Sequence, residues 1–229
     1  VEDIIMDQEN IIEVRDVGKE FPGVTALKDV SFDIKRNCVH CIVGENGAGK
    51  STFIKILTGA YRKSHGTITL NGNSFEPARV KEAISSGISV LYQELNVVDE
   101  LSVEGNLTLG QEKHRLWFPQ KTPNLEKVQT ILASFDKTIS LSDLVGNLSV
   151  AQKQIIEITK ALCSDCSVLV MDEPTASLSL EETTKLFQTI SRLKQEGVTI
   201  IYISHKLSEI FEIGDYVTVF RDGDMIETK

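Results

Sequence analysis

The chain has 229 residues, of which 41% are hydrophobic and 25% are charged, and its formal net charge at pH 7 is −9. These values are typical of a globular protein with a sizeable core, and the acidic balance argues against a general nucleic-acid-binding protein, which more often has a basic face. No run approaches the roughly 18 consecutive apolar residues that a membrane-spanning helix needs.

The N-terminus begins Val1-Glu2-Asp3, without Met and without the basic residues that open a signal peptide. We therefore expect a cytoplasmic protein whose contact with a membrane comes through a partner. The missing Met also indicates an expression fragment or a removed tag.

The first segments of the chain predict a small antiparallel sheet. Residues 11–15 and 24–35 alternate between apolar and polar positions, as short strands do, and Gly66–Leu70 predicts a further strand. The pair Asn71-Gly72 that follows is typical of a turn.

Longer apolar runs predict central parallel strands with helices between them. The strands are predicted at Val39–Val43, Ile88–Tyr92, Val168–Met171 and Val198–Ile203, and the helices at about 50–59, 150–163, 181–195 and 206–213. Strands that alternate with helices imply an α/β fold with a parallel sheet covered on both faces.

Residues 100–147 predict a mostly helical insertion between two of these core strands, with boundaries near residues 95 and 160. The apolar side chains there recur at helical spacing, at Val128, Ile131, Leu132 and Phe135.

The cysteines form two CxxC pairs, Cys38/Cys41 and Cys163/Cys166, a spacing that raises the alternative of a zinc site. Cys41 lies inside an apolar run that predicts a strand, and the two pairs are much further apart than in a zinc ribbon. Buried, reduced cysteines are therefore the favoured interpretation.

A glycine-rich loop follows the strand Val39–Val43 and precedes a predicted helix. It matches the pattern G-x-x-x-x-G-K-[ST], in which backbone amides and the helix N-terminus surround phosphate oxygens. Lys50 is expected to reach the outer phosphates and the Ser51 hydroxyl to bind Mg²⁺. The predicted phosphate-binding residues are Gly44, Glu45, Asn46, Gly47, Ala48, Gly49, Lys50, Ser51 and Thr52.

Polar residues at the ends of three other predicted strands complete a candidate site. Asp172 and Glu173 follow Val168–Met171, where Asp172 would hold Mg²⁺ and Glu173 would polarise an attacking water. Gln93 and His205 also follow strands, and such side chains orient water or sense a γ-phosphate. Each is a weak signal by itself, and a lone His at a strand end is more often structural.

Together these motifs resemble the nucleotide-binding domain of ABC transporters, over essentially the whole chain. The segment Leu148-Ser149-Val150-Ala151-Gln152 is similar to the signature motif of that family, and Ser149 and Gln152 also fit a capping box that opens a helix. The resemblance implies that this helix start faces the γ-phosphate bound by a second module, through Ser149, Ala151 and Gln152.

The resemblance also implies the architecture. We expect a P-loop NTPase fold with a RecA-like parallel sheet core, an N-terminal antiparallel β-subdomain and a helical subdomain. Residues 1–229 would form one ATP-binding domain, with the core and β-subdomain at about 10–95 and 160–229 and the helical subdomain at about 96–160.

Further roles are implied residue by residue. Phe21 matches the aromatic residue that stacks on adenine, and Gln93 matches the residue that links the metal site to the membrane subunit. The catalytic set becomes Lys50, Gln93, Glu173 and His205, with Ser51, Gln93 and Asp172 on the metal and Ala176-Ser177-Leu178 crossing between modules.

Two residues depart from the family pattern. Ala151 stands where the signature usually has glycine, so that a positive φ there would be costly. Ser179 stands where an Asp is usual, which puts the contact between modules at that position in doubt.

The segments Phe21–Leu27, Tyr92–Leu95 and Ile203–Leu207 look most like ATPases of bacterial monosaccharide importers, and the chain is similar to the N-terminal half of such proteins. The resemblance implies ATP and Mg²⁺ as ligands, and ATP hydrolysis that drives sugar uptake at the inner face of the cell membrane. It also implies membrane permease subunits, a second ATP-binding module and, indirectly, a sugar-binding protein as partners, and no nucleic acid. The alternatives are a soluble ABC ATPase of ribosomes or DNA repair, a P-loop kinase, and an ATP-binding regulatory module with little turnover.

Overall fold

The fold is taken from a computed structural model that describes residues 9–92, 95–109, 114–115, 118–119, 125–163 and 166–229. The strands are β1 Asn10–Phe21, β2 Val24–Lys35, β3 Val39–Gly44, β4 His65–Leu70, β5 Asn73–Ser74, β6 Ile88–Leu91, β7 His114–Arg115, β8 Phe118–Pro119, β9 Val168–Asp172, β10 Thr199–Ile203, β11 Tyr216–Arg221 and β12 Asp224–Thr228. The helices are α1 Lys50–Leu57, α2 Val80–Ser85, α3 Val103–Thr108, α4 Leu125–Phe135, α5 Val150–Cys163, α6 Leu180–Gln195 and α7 Leu207–Ile213, with a 3₁₀ turn at Val145–Asn147.

A six-stranded sheet in the order β12-β11-β3-β10-β9-β6 forms the centre of the molecule. All neighbouring strands in it are parallel except β11 and β12, which form an antiparallel hairpin at one edge. The sequence analysis did not predict these two strands. Strand β10 is buried at every position, as expected when helices cover both faces of a sheet. Phe53 of α1 belongs to the apolar cluster on one face, and Phe187 of α6 to the cluster on the other. The predicted parallel core is confirmed.

A second sheet, in the order β2-β1-β4-β5, is the predicted antiparallel one. Strand β1 is longer than predicted, since it runs over 12 residues rather than 11–15. The register shifts between Val14 and Val17, and Asp16 between them has a φ of 49°. This irregularity interrupts the two-residue periodicity on which the prediction relied, although pairing resumes beyond it. Elsewhere the ends of the predicted core elements differ from the structure by one or two residues, as boundaries usually do.

Helices α3, α4 and α5 share a third apolar cluster, separate from the two that cover the sheet. Val128 and Leu132 of α4 are buried there with Leu107 of α3 and Ile156 of α5. The helical spacing in this part of the chain is therefore confirmed, while the subdomain boundaries stay a prediction. Within the described ranges, no helix is long and apolar enough to span a membrane.

Candidate functional site

The glycine-rich loop joins the buried strand β3 to helix α1. Gly47 and Gly49 have φ values of 84° and 104°, a region that favours glycine. A Cβ at Gly49 would lie 2.7 Å from the carbonyl oxygen of Ala26, so this position also needs glycine for space. Gly49 is the N-cap of α1 and gives it no side-chain hydrogen bond. The first-turn amides, including those of Ser51 and Thr52, therefore suit an anion.

The Lys50 side chain crosses the base of this loop. The residue is only 6% exposed, and its ammonium group donates to the carbonyl oxygens of Gly44 and Glu45 at 2.6 and 2.9 Å. Burial lowers the pKa of Lys50, and the charges of Glu173 and Asp172 oppose that effect. Two of its three N–H donors are thus used by the loop. The same ammonium group interacts electrostatically with Asp172 and Glu173, which the sequence analysis predicted at the end of another strand.

Asp172 is the last residue of β9 and pairs in register with Ile203 of β10. Burial raises the pKa of its carboxyl group, the neighbouring Glu173 raises it further, and Lys50 opposes both. The carboxylate of Asp172 and the exposed Ser51 hydroxyl are oxygen donors of the kind that Mg²⁺ prefers. A divalent cation would also relieve the excess negative charge beside Asp172, so these residues fit the predicted metal.

Glu173 and His205 form a direct contact that no sequence pattern predicted. Nδ1 of His205 lies 3.0 Å from Oε1 of Glu173, within hydrogen-bonding distance. Glu173 has a φ of 48°, and its N–H donates to the carbonyl oxygen of Ile203 at 3.0 Å. A left-handed conformation costs a non-glycine residue about 1–3 kcal/mol, and such strain clusters at functional sites.

The signature-like segment begins helix α5 as the predicted capping box requires. The Ser149 N–H donates to Oε1 of Gln152 at 3.0 Å, and the Gln152 N–H donates to the Ser149 hydroxyl at 3.3 Å. Ala151 lies within the regular helix and has no positive φ. The cost that a positive φ would carry at Ala151 therefore does not arise, because this position does not use the left-handed region.

The signature helix also touches the turn after Glu173. Nε2 of Gln154 donates to the carbonyl oxygen of Pro174 at 2.6 Å, and a cavity of about 280 Å³ lies between them, lined also by Leu95, Ala176 and Ser177. Nothing in the sequence singled out Gln154, which occupies an ordinary position of an amphipathic helix.

Ser179 is the N-cap of α6. It forms a reciprocal capping box with Glu182, with distances of 3.0 and 3.3 Å. Serine therefore performs at this position the capping role that an Asp also performs. Whether the residue contacts a second module stays a prediction.

The roles of Phe21 and Gln93 stay predictions. The Phe21 ring contacts Tyr61 edge-on at 5.3 Å and has the Lys19 ammonium 4.7 Å from its centroid. Stacking of adenine on Phe21 stays a prediction. Gln93 lies outside the described residues.

Three of the four cysteines are buried, as the reduced, buried interpretation expects, and Cys163 is half-buried. Cys38, Cys41 and Cys166 are buried, and the Cys38 thiol donates to the carbonyl oxygen of Lys35 at 3.1 Å. In the part of the chain that the structure describes, no three His, Cys, Asp or Glu side chains are grouped to hold a metal ion.

Known proteins resemble the chain over most of its length. The family model described as ABC transporter matches residues 27–176. The arabinose import ATP-binding protein AraG of Mannheimia succiniciproducens is 44% identical over 217 residues, which are 95% of this chain and 43% of that protein. The galactose/methyl galactoside import ATP-binding protein MglA of Clostridium perfringens is 42% identical over 223 residues, 97% of this chain and 43% of that protein. The chain thus spans less than half the length of these relatives.

A solved structure shows the same fold. The ADP conformation of an ATP-binding cassette of an ABC transporter matches with a TM-score of 0.86 and 28% identity, and the match covers 96% of this chain and 91% of the other. The predicted P-loop NTPase fold is confirmed.

Proposed function

Because this chain belongs to the ABC transporter family, we propose that it binds ATP with Mg²⁺ and hydrolyses it to ADP and phosphate. The observation that carries the proposal is the meeting of Lys50, Asp172, Glu173 and His205 at one end of the parallel sheet. We further propose that hydrolysis drives uptake of a monosaccharide, which the names of the relatives that import arabinose and galactose support.

In this mechanism the chain positions the reactants and stabilises charge. The amides of the loop and of α1 take the phosphates, Lys50 neutralises their outer oxygens, and adenine rests on Phe21. Ser51 and Asp172, with Gln93, would hold Mg²⁺, which when bound supplies positive charge to the phosphate oxygens. Glu173 accepts a proton from the attacking water, and the His205 contact at 3.0 Å holds that carboxylate in one orientation.

The site is completed by partners. A second ATP-binding module, in the same polypeptide or in a dimer, presents its signature residues equivalent to Ser149, Ala151 and Gln152 to the γ-phosphate. Closure is passed through the Gln93 region to membrane-spanning permease subunits, which receive the sugar from a binding protein. The chain accordingly works at the cytoplasmic face of the membrane.

Exchange of Glu173 for Gln tests the proposal. Glu173→Gln keeps shape and removes the base, so we expect ATP affinity within a few-fold of wild type and phosphate release reduced by about 10²–10⁴. Glu181→Gln is the matched control, since Glu181 is an exposed helix residue paired with Lys185 at 2.9 Å, and it should hydrolyse ATP normally. Calorimetry measures binding and a phosphate assay measures turnover. Near-normal turnover in Glu173→Gln would reject Glu173 as the base, and a wild-type chain that does not bind ATP would reject the function.

A further inference from the structure

A buried carboxylate, that of Glu209, is bonded to residues that are close in sequence to Glu173 and His205. Glu209, in the first turn of α7, is 6% exposed, and glutamate is rarely so buried unless it is paired. Its Oε1 accepts from the Thr175 hydroxyl at 2.6 Å and lies 3.1 Å from the Lys206 ammonium. Its Oε2 accepts from the Tyr202 and Ser204 hydroxyls at 2.7 and 2.9 Å.

These four donors keep Glu209 ionised. Burial alone raises the pKa of its carboxyl group, but the hydrogen bonds that it accepts lower the pKa below its ordinary value. Each oxygen has two partners, which is close to the full acceptor capacity of a carboxylate. A buried charge with this many partners holds them in one arrangement, because removing it would leave several buried donors unpaired.

The donors come from the two segments that carry the proposed base and its histidine. Thr175 follows Glu173 by two residues, and Ser204 and Lys206 flank His205 on either side. Lys206 adds a second tie, because its ammonium lies 3.2 Å from the Thr175 hydroxyl. Glu209 therefore fixes the turn after β9 relative to the loop after β10.

The contact between Glu173 and His205 needs such support from the surrounding residues. The His205 side chain is 60% exposed, and ion pairs at exposed positions are weak by themselves. Glu173 also holds a left-handed conformation, with a φ of 48°, that the surrounding structure must maintain. Displacement of a catalytic group by about 1 Å reduces rates on the order of 10²-fold.

We propose that Glu209 is a positioning residue for ATP hydrolysis, which acts by fixing Glu173 and His205 relative to each other. The inference rests on the proposed function. The structural observation behind it does not depend on that function, because it is only that the Glu209 carboxylate joins two loops. None of its described hydrogen bonds or ion pairs reaches the phosphate-binding loop or the signature segment.

Steady-state kinetics of Glu209→Ala and Glu209→Gln test this role. For Glu209→Ala we expect kcat to fall on the order of 10–100-fold, with KM and ATP affinity within about threefold of wild type. Glu209→Gln should recover part of kcat, because its carbonyl oxygen still accepts and the Tyr202 and Ser204 hydroxyls can turn to accept from its amide group. All rates are measured well below the unfolding temperature of each variant.

Thr218→Val is the matched control for lost stability. Thr218 is buried and lies 2.7 Å from both His40 and the Thr228 hydroxyl, within the sheet rather than in the turns that carry the pair. This variant loses a buried hydrogen-bonding group and should keep its kcat.

A double variant separates positioning from a general structural role. In a His205→Ala background the pair no longer exists, so Glu209→Ala should cause little further loss of kcat. Full additivity, an unchanged kcat in Glu209→Ala, or a parallel loss of ATP binding would each overturn the inference. If Glu209→Ala does not fold, Glu209→Gln carries the same comparison. A wild-type chain that does not bind ATP would instead refute the proposed function, whereas normal turnover in the Glu209 variants would refute this inference alone.

Discussion

The stability of this protein should fall in mild acid because of one buried histidine. His40 of β3 is fully buried beside the rings of Phe32 and Tyr216, at centroid distances of 5.9 and 6.2 Å. Its Nε2 lies 2.7 Å from the Thr218 hydroxyl, and its Nδ1 has no hydrogen-bond partner among the described residues. Burial in these surroundings disfavours the charged imidazolium form.

Burial lowers the pKa of His40 from its ordinary 6.5 to about 4. Between these two pKa values the unfolded chain binds a proton that the folded chain does not. The stabilisation of the folded state by neutral His40 is therefore fully present above about pH 6.5 and is lost as the pH falls towards about 4. Each pKa unit is worth about 1.36 kcal/mol, so the loss amounts to about 2 kcal/mol at about pH 5 and about 3 kcal/mol when complete.

Urea unfolding of wild type and His40→Gln between about pH 7 and pH 5 isolates this effect. The variant cannot titrate at this position, and the other titrating groups affect both proteins equally. Any amount by which the free energy of unfolding of His40→Gln is below that of wild type at neutral pH should therefore shrink by about 2 kcal/mol at about pH 5. A difference between the two proteins that does not change with pH would refute the reasoning.

Three further predictions concern other parts of the chain. Gly49→Ala should lower the free energy of unfolding by about 1–3 kcal/mol in urea titrations, because a methyl group there meets a carbonyl oxygen at a φ of 104°; an unchanged stability would contradict the loop geometry. Burial raises the pKa of the Cys38 and Cys41 thiols to about 12, so mass spectrometry should find both unmodified by iodoacetamide until the chain is unfolded, and rapid alkylation of the native protein would contradict their burial. Arg192→Ala should destabilise the protein by about 1 kcal/mol in thermal unfolding, because the guanidinium group lies 5.3 Å from the Phe135 ring; Arg192→Lys should lose less, and equal losses would argue against a contribution from the charge.

Local patterns predicted the phosphate loop and the start of the signature helix because each depends on neighbours in the sequence. The residues Gly44–Ser51 form a strand-loop-helix unit, and the capping box of Ser149 and Gln152 joins residues three positions apart. The hairpin of β11 and β12 also had a local signal, since Asp222-Gly223 is a typical type I′ turn pair, and both residues have positive φ.

Contacts between distant segments could not be predicted in this way. The contact of Glu173 with His205 spans 32 positions, and that of Thr175 with Glu209 spans 34. In sequence, Glu209 is an ordinary acidic residue in the first turn of a helix, where it favours the helix dipole. Only the packing of α7 against the strand ends shows that its side chain is buried and fully hydrogen-bonded.

The order of the strands explains why these segments meet. Strand β10 lies between β3 and β9, so the chain that leaves β10 at His205 emerges between the phosphate loop and the acids of β9. Two carboxylates, Asp172 and Glu173, then face the buried ammonium group of Lys50, and this excess negative charge disfavours a bare polyphosphate. The same excess favours a nucleotide that arrives with a divalent cation. The electrostatics of the described residues therefore support the proposed binding of a metal–nucleotide complex, and the left-handed turn at Glu173 separates the acid that would bind the metal from the acid that would activate water.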